Sequence, residues 1–132
     1  MSLLGLDVGT TGTKGVAFDI EGKPIASAYR EYPLLSPKPG WQGLDPEHVW
    51  RCVREVLGEV AQKTKHDPVR ALAMSAQGEA VLAVDKNGTA LTNSPVTFDA
   101  RTAGLPAWWL ERKSRMELAQ ISGMPLHGMY SL

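Results

Sequence analysis

Short apolar runs open the chain, one long stretch of helical period follows near its middle, and short runs return before a second helical stretch. Residues 3–7 and 15–19 read as the strands of a hairpin, and residues 24–32 as a third strand after the Glu21-Gly22-Lys23 turn. An antiparallel three-strand meander is the expected result. Residues 33–43 hold three prolines and two glycines and so form a crossing loop. Asp45-Pro46-Glu47 is a helix start, with Asp45 as N-cap, Pro46 at the first helical position and Glu47 against the positive dipole end. Val49, Trp50, Val53, Val56, Leu57 and Val60 then recur at three- and four-residue steps to about Lys63, which predicts a helix with one face packed on the sheet. Residues 69–74 and 80–84 are expected as strands joined by the polar tip Ser75-Ala76-Gln77-Gly78-Glu79. Asp85-Lys86-Asn87-Gly88 predicts a type I′ hairpin turn. Residues 96–98 read as a short strand that leads through Asp99-Ala100-Arg101-Thr102 into a helix carrying Trp108, Trp109, Leu110, Met116, Leu118 and Ile121. Residues 124–130 are loop-like.

The chemistry concentrates in Asp7-Val8-Gly9-Thr10-Thr11-Gly12-Thr13-Lys14, where one tight turn holds an acid, two glycines, three hydroxyls and a cation. Gly9 and Gly12 give the backbone freedom to bend or to approach a ligand, and backbone N–H groups with the Thr10 and Thr11 hydroxyls can face phosphate oxygens. Asp7 is placed to hold a hydrated Mg²⁺, and Lys14 adds a point charge. The order GxxxxGK[ST] is missing, and no GxGxxG precedes a helix, so neither a Walker loop nor a Rossmann fingerprint is present. A plain Gly-Thr turn with Asp7 capping backbone amides is the competing reading.

Composition narrows the function class. Lys plus Arg and Asp plus Glu are balanced at 14 each, which leaves no electrostatic footprint for nucleic acid or an acidic membrane. No apolar run approaches a membrane span. Cys52 is the only cysteine, so neither an intrachain disulfide nor a multi-cysteine metal site can form, and a reducing cytoplasm is the natural setting. His48 and Cys52 lie four apart on the expected helix, but two ligands without a third make a weak metal site. At 132 residues the chain is at most one domain, short for a nucleotide-cleft enzyme that needs two walls.

The first hairpin resembles the phosphate hairpin of the actin, Hsp70 and sugar-kinase superfamily. Gly40-Trp41-Gln42-Gly43-Leu44-Asp45-Pro46 through Trp50, Ser75-Ala76-Gln77-Gly78-Glu79 and Phe98-Asp99-Ala100-Arg101-Thr102 follow in the order and spacing of one branch. By these motifs the chain resembles the FGGY carbohydrate kinases, the family of glycerol kinase, xylulokinase and gluconokinase. The resemblance implies an α/β, RNase-H-like fold: a mixed sheet with flanking helices, here the N-terminal portion of the family's first domain.

It further implies ATP and Mg²⁺ as cofactors, a small carbohydrate as partner, and a homodimer for the complete protein. On the matching positions Asp7 would organise the metal through water, and Gly9, Thr10, Thr11, Gly12 and Lys14 would cradle phosphate. Gln77, Gly78, Glu79 and Asp99 would face the substrate, with Glu79 accepting hydrogen bonds from neighbouring hydroxyls. Gly78 departs from the glycerol-kinase arginine and the xylulokinase methionine, and Thr97 stands where glycerol kinase has a tryptophan. Pro125-Leu126-His127-Gly128-Met129 resembles the loop of gluconokinase-like members, pointing to a sugar, sugar acid or larger polyol. The family's general base and adenine pocket lie beyond these residues, so the chain reads as an inactive N-terminal fragment. A non-catalytic sugar- or phosphate-binding module and an actin-like ATPase are the alternatives.

Overall fold

The computed structural model describes residues 1–129. Tyr130, expected in the closing loop, lies outside the described residues. The opening meander is present as β1 (Ser2–Val8), β2 (Gly12–Phe18) and β3 (Pro24–Glu31). The short β4 (Gly43–Leu44) follows, then α1 (Pro46–Lys63) and β5 (Val69–Ala76). The sheet order is β3-β2-β1-β5, antiparallel except that β5 runs parallel to β1, with Leu6 opposite Met74 and Asp7 opposite Ser75. A strand pair that is parallel needs a long crossover, supplied here by β2, β3 and α1.

Alternation sorts β1 into two faces. Leu4 and Leu6 point to α1 and are buried, whereas Leu3 and Asp7 on the other face are exposed. Ala17 and Ala28 from β2 and β3 join them against Val53, Val56 and Val60 of α1. Asp45 caps α1 as expected, its carboxylate accepting from the Glu47 N–H at 3.0 Å and the His48 N–H at 3.3 Å. Arg30 of β3 reaches across to Glu55 and Glu59, both at 2.8 Å, and Lys63 donates to the Ser27 carbonyl at 2.7 Å.

Small residues set how close α1 can approach. A Cβ on Gly15 would stand 2.8 Å from Cγ1 of Val56, which is wholly buried. Gly15→Val should therefore overpack the interface and lower stability by about 2 kcal/mol, read as a reduced urea midpoint. An unchanged midpoint would show that α1 can back away at no cost.

α1 covers β2, β3 and the Leu4 and Leu6 side of β1, and leaves the same flank of β5 exposed. Trp50 is 57% exposed, Leu72 53% and Met74 68%, so Trp50 does not join the packed face that its spacing predicted. A groove of about 280 Å³ between Trp50, Val53 and Met74 marks the gap.

Several expected elements differ. Residues 80–84 form no strand; Val84 makes only an isolated bridge to Ala90. The turn after it is not type I′. Gly88 alone carries a left-handed angle, φ +82°, while the Asp85 carboxylate accepts from the N–H groups of Asn87 at 2.8 Å and Thr89 at 2.9 Å. The strand expected at residues 96–98 is displaced to β6 (Ser94–Pro95), paired with β4. The single long helix is broken into a 3₁₀ turn (Ala100–Thr102), α2 (Leu105–Leu110) and α3 (Arg115–Ser122). Ser114 and Glu117 explain the break, since they form a capping box that starts α3 afresh.

Candidate active site

β1 and β2 are joined by the tip 9–11, closed by a bond from the Gly9 N–H to the Gly12 carbonyl at 3.0 Å. Neither Gly9 nor Gly12 has a positive φ, so the expected need for unusual backbone angles is not what selects them. Space is. A Cβ on Gly9 would lie 3.3 Å from the Gly12 carbonyl and 3.5 Å from Oδ2 of Asp7, and one on Gly12 would collide with the Tyr29 ring. Gly12, Thr13 and Lys14 belong to the β2 ladder rather than to the turn. Lys14 consequently sits opposite Asp7 across the strands, and both side chains are exposed. The Thr13 hydroxyl donates to the Asp7 carbonyl at 2.8 Å, turning that hydroxyl inward; Thr10 and Thr11 remain at the tip.

The tip is flanked by the end of β5, just past which the Gln77 N–H donates to the Val8 carbonyl at 3.1 Å. Both strands of the parallel pair thus end together, and the carboxyl ends of parallel strands are where α/β sheets place ligands. Two residues on, Glu79 adopts φ +62°, the left-handed region that non-glycine residues seldom occupy. Such strain persists where surrounding structure holds it, and it gathers at functional sites.

Glu79 lines a cavity of about 470 Å³ together with Thr97, Asp99, Thr102, Trp109 and His127. That volume is within the range of small-molecule sites. Of the four residues expected to face substrate, Glu79 and Asp99 are brought into this cavity. Gly78 is not in its wall, and Gln77 turns to the groove beside Met74, where its buried Oε1 has no hydrogen-bond partner among the described residues.

Asp99 is 7% exposed, and its carboxylate is fully used by the protein. Oδ1 accepts from the Arg101 backbone N–H and Nε, both at 2.8 Å; Oδ2 accepts from an Arg101 terminal nitrogen at 2.9 Å and from the Gln42 N–H at 2.6 Å. Arg101, then the Gln42 amide, hold the Asp99 carboxyl down at about 2 despite the opposing effect of burial. Four bonds exhaust a carboxylate's acceptor positions. Asp99 therefore builds the cavity wall, in place of the direct substrate contact expected from its motif.

The same bonds explain the Gly-Trp-Gln segment of the crossing loop. Gly40, at φ +79°, offers its carbonyl to the Ala100 N–H at 2.8 Å, the Gln42 carbonyl accepts from Val96, and the Arg101 guanidinium lies 4.3 Å from the centre of the Trp41 ring. On the opposite side the Thr102 hydroxyl donates to the Gly128 carbonyl at 2.6 Å, bringing His127 into the cavity wall. Trp109, expected only as one of the apolar residues of a helix, is a wall residue.

The model of the FGGY family of carbohydrate kinases, N-terminal domain, matches residues 2–132. The chain belongs to that family. A glycerol kinase of Gloeobacter violaceus is 40% identical over 105 residues, covering 79% of this chain and 21% of its own length. The gluconate kinase structure from Lactobacillus acidophilus is 32% identical with a TM-score of 0.86, covering 97% of this chain and 26% of that one. A ligand-bound xylulose kinase from the same organism gives 32% identity and a TM-score of 0.87, again covering 97% and 26%. The chain thus spans between a fifth and about a quarter of the length of these relatives. The fold is that of the sugar-kinase branch of the RNase-H-like superfamily, in a partial domain. Among the described residues no helix is long and apolar enough to cross a membrane, and no group of three metal-ligating side chains occurs, His48 and Cys52 included.

Proposed function

We propose that this FGGY chain supplies the phosphate tip and part of the carbohydrate cavity of an ATP-dependent kinase, which transfers the γ-phosphoryl group to a carbohydrate hydroxyl. The observation that carries the reading is the bond from Gln77 N–H to the Val8 carbonyl, 3.1 Å. It joins the tip to the segment that ends on Glu79. A donor phosphate at the tip and an acceptor at Glu79 thereby share one rigid strand pair, and phosphoryl transfer depends chiefly on such positioning and on charge stabilisation.

In this reading Gly9, Thr10, Thr11, Gly12 and Lys14 receive phosphate oxygens, and Glu79 forms the acceptor side, with Asp99 behind it and Gln77 and Gly78 leading to it from the tip. A lone exposed carboxylate at Asp7, next to a phosphate cradle, fits Mg²⁺, which keeps most of its water and takes one or two carboxylates with substrate phosphate. The ion supplies charge neutralisation on the phosphates when bound. The proton acceptor for the attacking hydroxyl is assigned outside these residues, so the isolated chain should be catalytically silent. A cavity of about 470 Å³ with Thr97 in its wall favours a sugar or sugar acid of the xylulose or gluconate class over glycerol. Cytoplasmic location and a homodimer of the complete protein complete the proposal.

The deciding experiment is ADP release by the complete gene product with Mg-ATP across ketoses, aldoses, polyols including glycerol, and sugar acids, with the 132-residue chain alongside. Stimulation by one sugar or sugar acid and a silent fragment are expected. No stimulation by any member would remove the kinase reading, and glycerol as the preferred acceptor would remove the substrate class. Within the active protein, Glu79→Ala should raise the carbohydrate KM about thirtyfold, the value of a charge-assisted hydrogen bond, and leave the KM for ATP nearly unchanged. Equal losses for both substrates would place Glu79 elsewhere than on the acceptor.

A further inference from the structure

Tyr32 follows β3 and is 3% exposed, in a position that no kinase motif marks. Its phenol O–H donates to the Gly9 carbonyl at 2.6 Å, and its backbone N–H donates to the Thr11 carbonyl at 3.2 Å. One residue therefore grips the tip at both of its ends. The ring packs in a small core with Leu44, Cys52 and Val96, which meets the larger core under α1 at Val49. Val96 also lines the carbohydrate cavity, next to Thr97. One side chain thus holds the tip by its hydroxyl and shares a core with a residue of the cavity wall.

We propose that Tyr32 is a positioning residue for phosphoryl transfer, holding the phosphate tip in register with the carbohydrate cavity; the inference rests on the kinase reading above. Its hydroxyl is what distinguishes it from packing. A phenylalanine would fill the same core, but only the O–H can tie down the Gly9 carbonyl. Burial first, then the neighbouring Cys52 and Asp7, push the phenol up to about 12, so it remains a donor across the working range of pH. The Gly9 N–H is already committed to the Gly12 carbonyl, so the two bonds fix both faces of that peptide corner. Small misplacements of a reacting group cost far more in rate than in binding, so the effect should fall on turnover.

Tyr32→Phe in the complete gene product is expected to lower kcat about tenfold while leaving the carbohydrate KM within about twofold. Amide hydrogen exchange across residues 9–12 should quicken about tenfold, with α1 unaffected. Cys52→Ala is the control, because it opens a cavity in the same core and touches no part of the tip. Its kcat should stay within about twofold of the parent. A kcat for Tyr32→Phe within twofold of the parent would overturn the proposal, as would an equal kcat loss in Cys52→Ala, which would mark the effect as general loosening. If the parent shows no carbohydrate-stimulated turnover, the kinase reading fails, and with it the catalytic part of this inference. Exchange still decides the anchoring part, which unchanged protection at residues 9–12 overturns.

Discussion

Asp7→Ala should lower kcat of the complete gene product roughly a thousandfold, the scale seen when a group stabilising developing charge is removed. Its thermal midpoint should move by only about a degree, as for exposed substitutions away from structural features. The asymmetry follows from where the carboxylate sits. Asp7 projects from the open face of β1, exposed, with Lys14 across one strand pair and Ser75 across the other. The local structure is held through its backbone, since the Thr13 hydroxyl takes the Asp7 carbonyl and not its side chain. Truncation therefore removes charge beside the hairpin tip, the proposed phosphate cradle, without removing a support. Steady-state ADP release beside a melting curve checks both halves. A kcat within tenfold of the parent would assign the charge at the tip to another residue, and a large fall in midpoint would make Asp7 a structural acid.

The opening hairpin and α1 were legible because each was specified twice, by period and by punctuation. The apolar run from Leu3 to Leu6 gave the strand, and the Gly-rich tip gave its end. Asp45, Pro46 and the run from Val49 to Val60 gave the helix and its start to the residue. Beyond Ala76 the signals were single and were outvoted. Residues 80–84 are as apolar as a strand, but no neighbouring strand offers them a ladder, and β-propensity without a partner specifies nothing. Asn87-Gly88 suggested a type I′ turn, yet the Asp85 carboxylate satisfies two N–H groups and lets Gly88 alone take the positive φ.

Half of the candidate site was visible in the same way. Asp7, Glu79 and the tip glycines could be named because motifs carry them, although the glycines are needed for room and not for their angles. Trp109 and Tyr32 could not be, and Thr102 could be named only as part of a motif, without its role in the wall. Two of the three acquire their place through a partner distant in the sequence: Gly128 for Thr102, Gly9 for Tyr32. Long-range hydrogen bonds leave no periodic trace in a sequence. The exposed flank around Trp50, Leu72 and Met74 shows the converse, a helical stripe wider than the surface that this chain gives it to cover.

Asp99→Ala is expected to cause the largest loss of stability, about 3 kcal/mol, toward the lower end for breaking a buried ion pair because Arg101 retains some contact with water. The carboxylate is the hub of the cavity wall. Its removal strands the Gln42 N–H and the inner face of the Arg101 guanidinium, and releases the crossing loop from the 3₁₀ turn. The acid dependence carries the same information. The Asp99 carboxyl is held at about 2 in the folded chain, first by Arg101, against an ordinary value of about 3.9 when unfolded. A depressed carboxyl contributes its full stability above the ordinary value and loses it as pH falls through the folded one. The contribution, on the order of 2 kcal/mol, should disappear between about pH 4 and pH 2. Urea midpoints measured across that window should fall for the parent and fall less steeply for Asp99→Asn, which keeps the shape but cannot ionise. Parallel slopes would mean that Asp99 does not carry the acid limb, and that the wall is held chiefly by the backbone bonds between Gly40, Gln42, Val96 and Ala100.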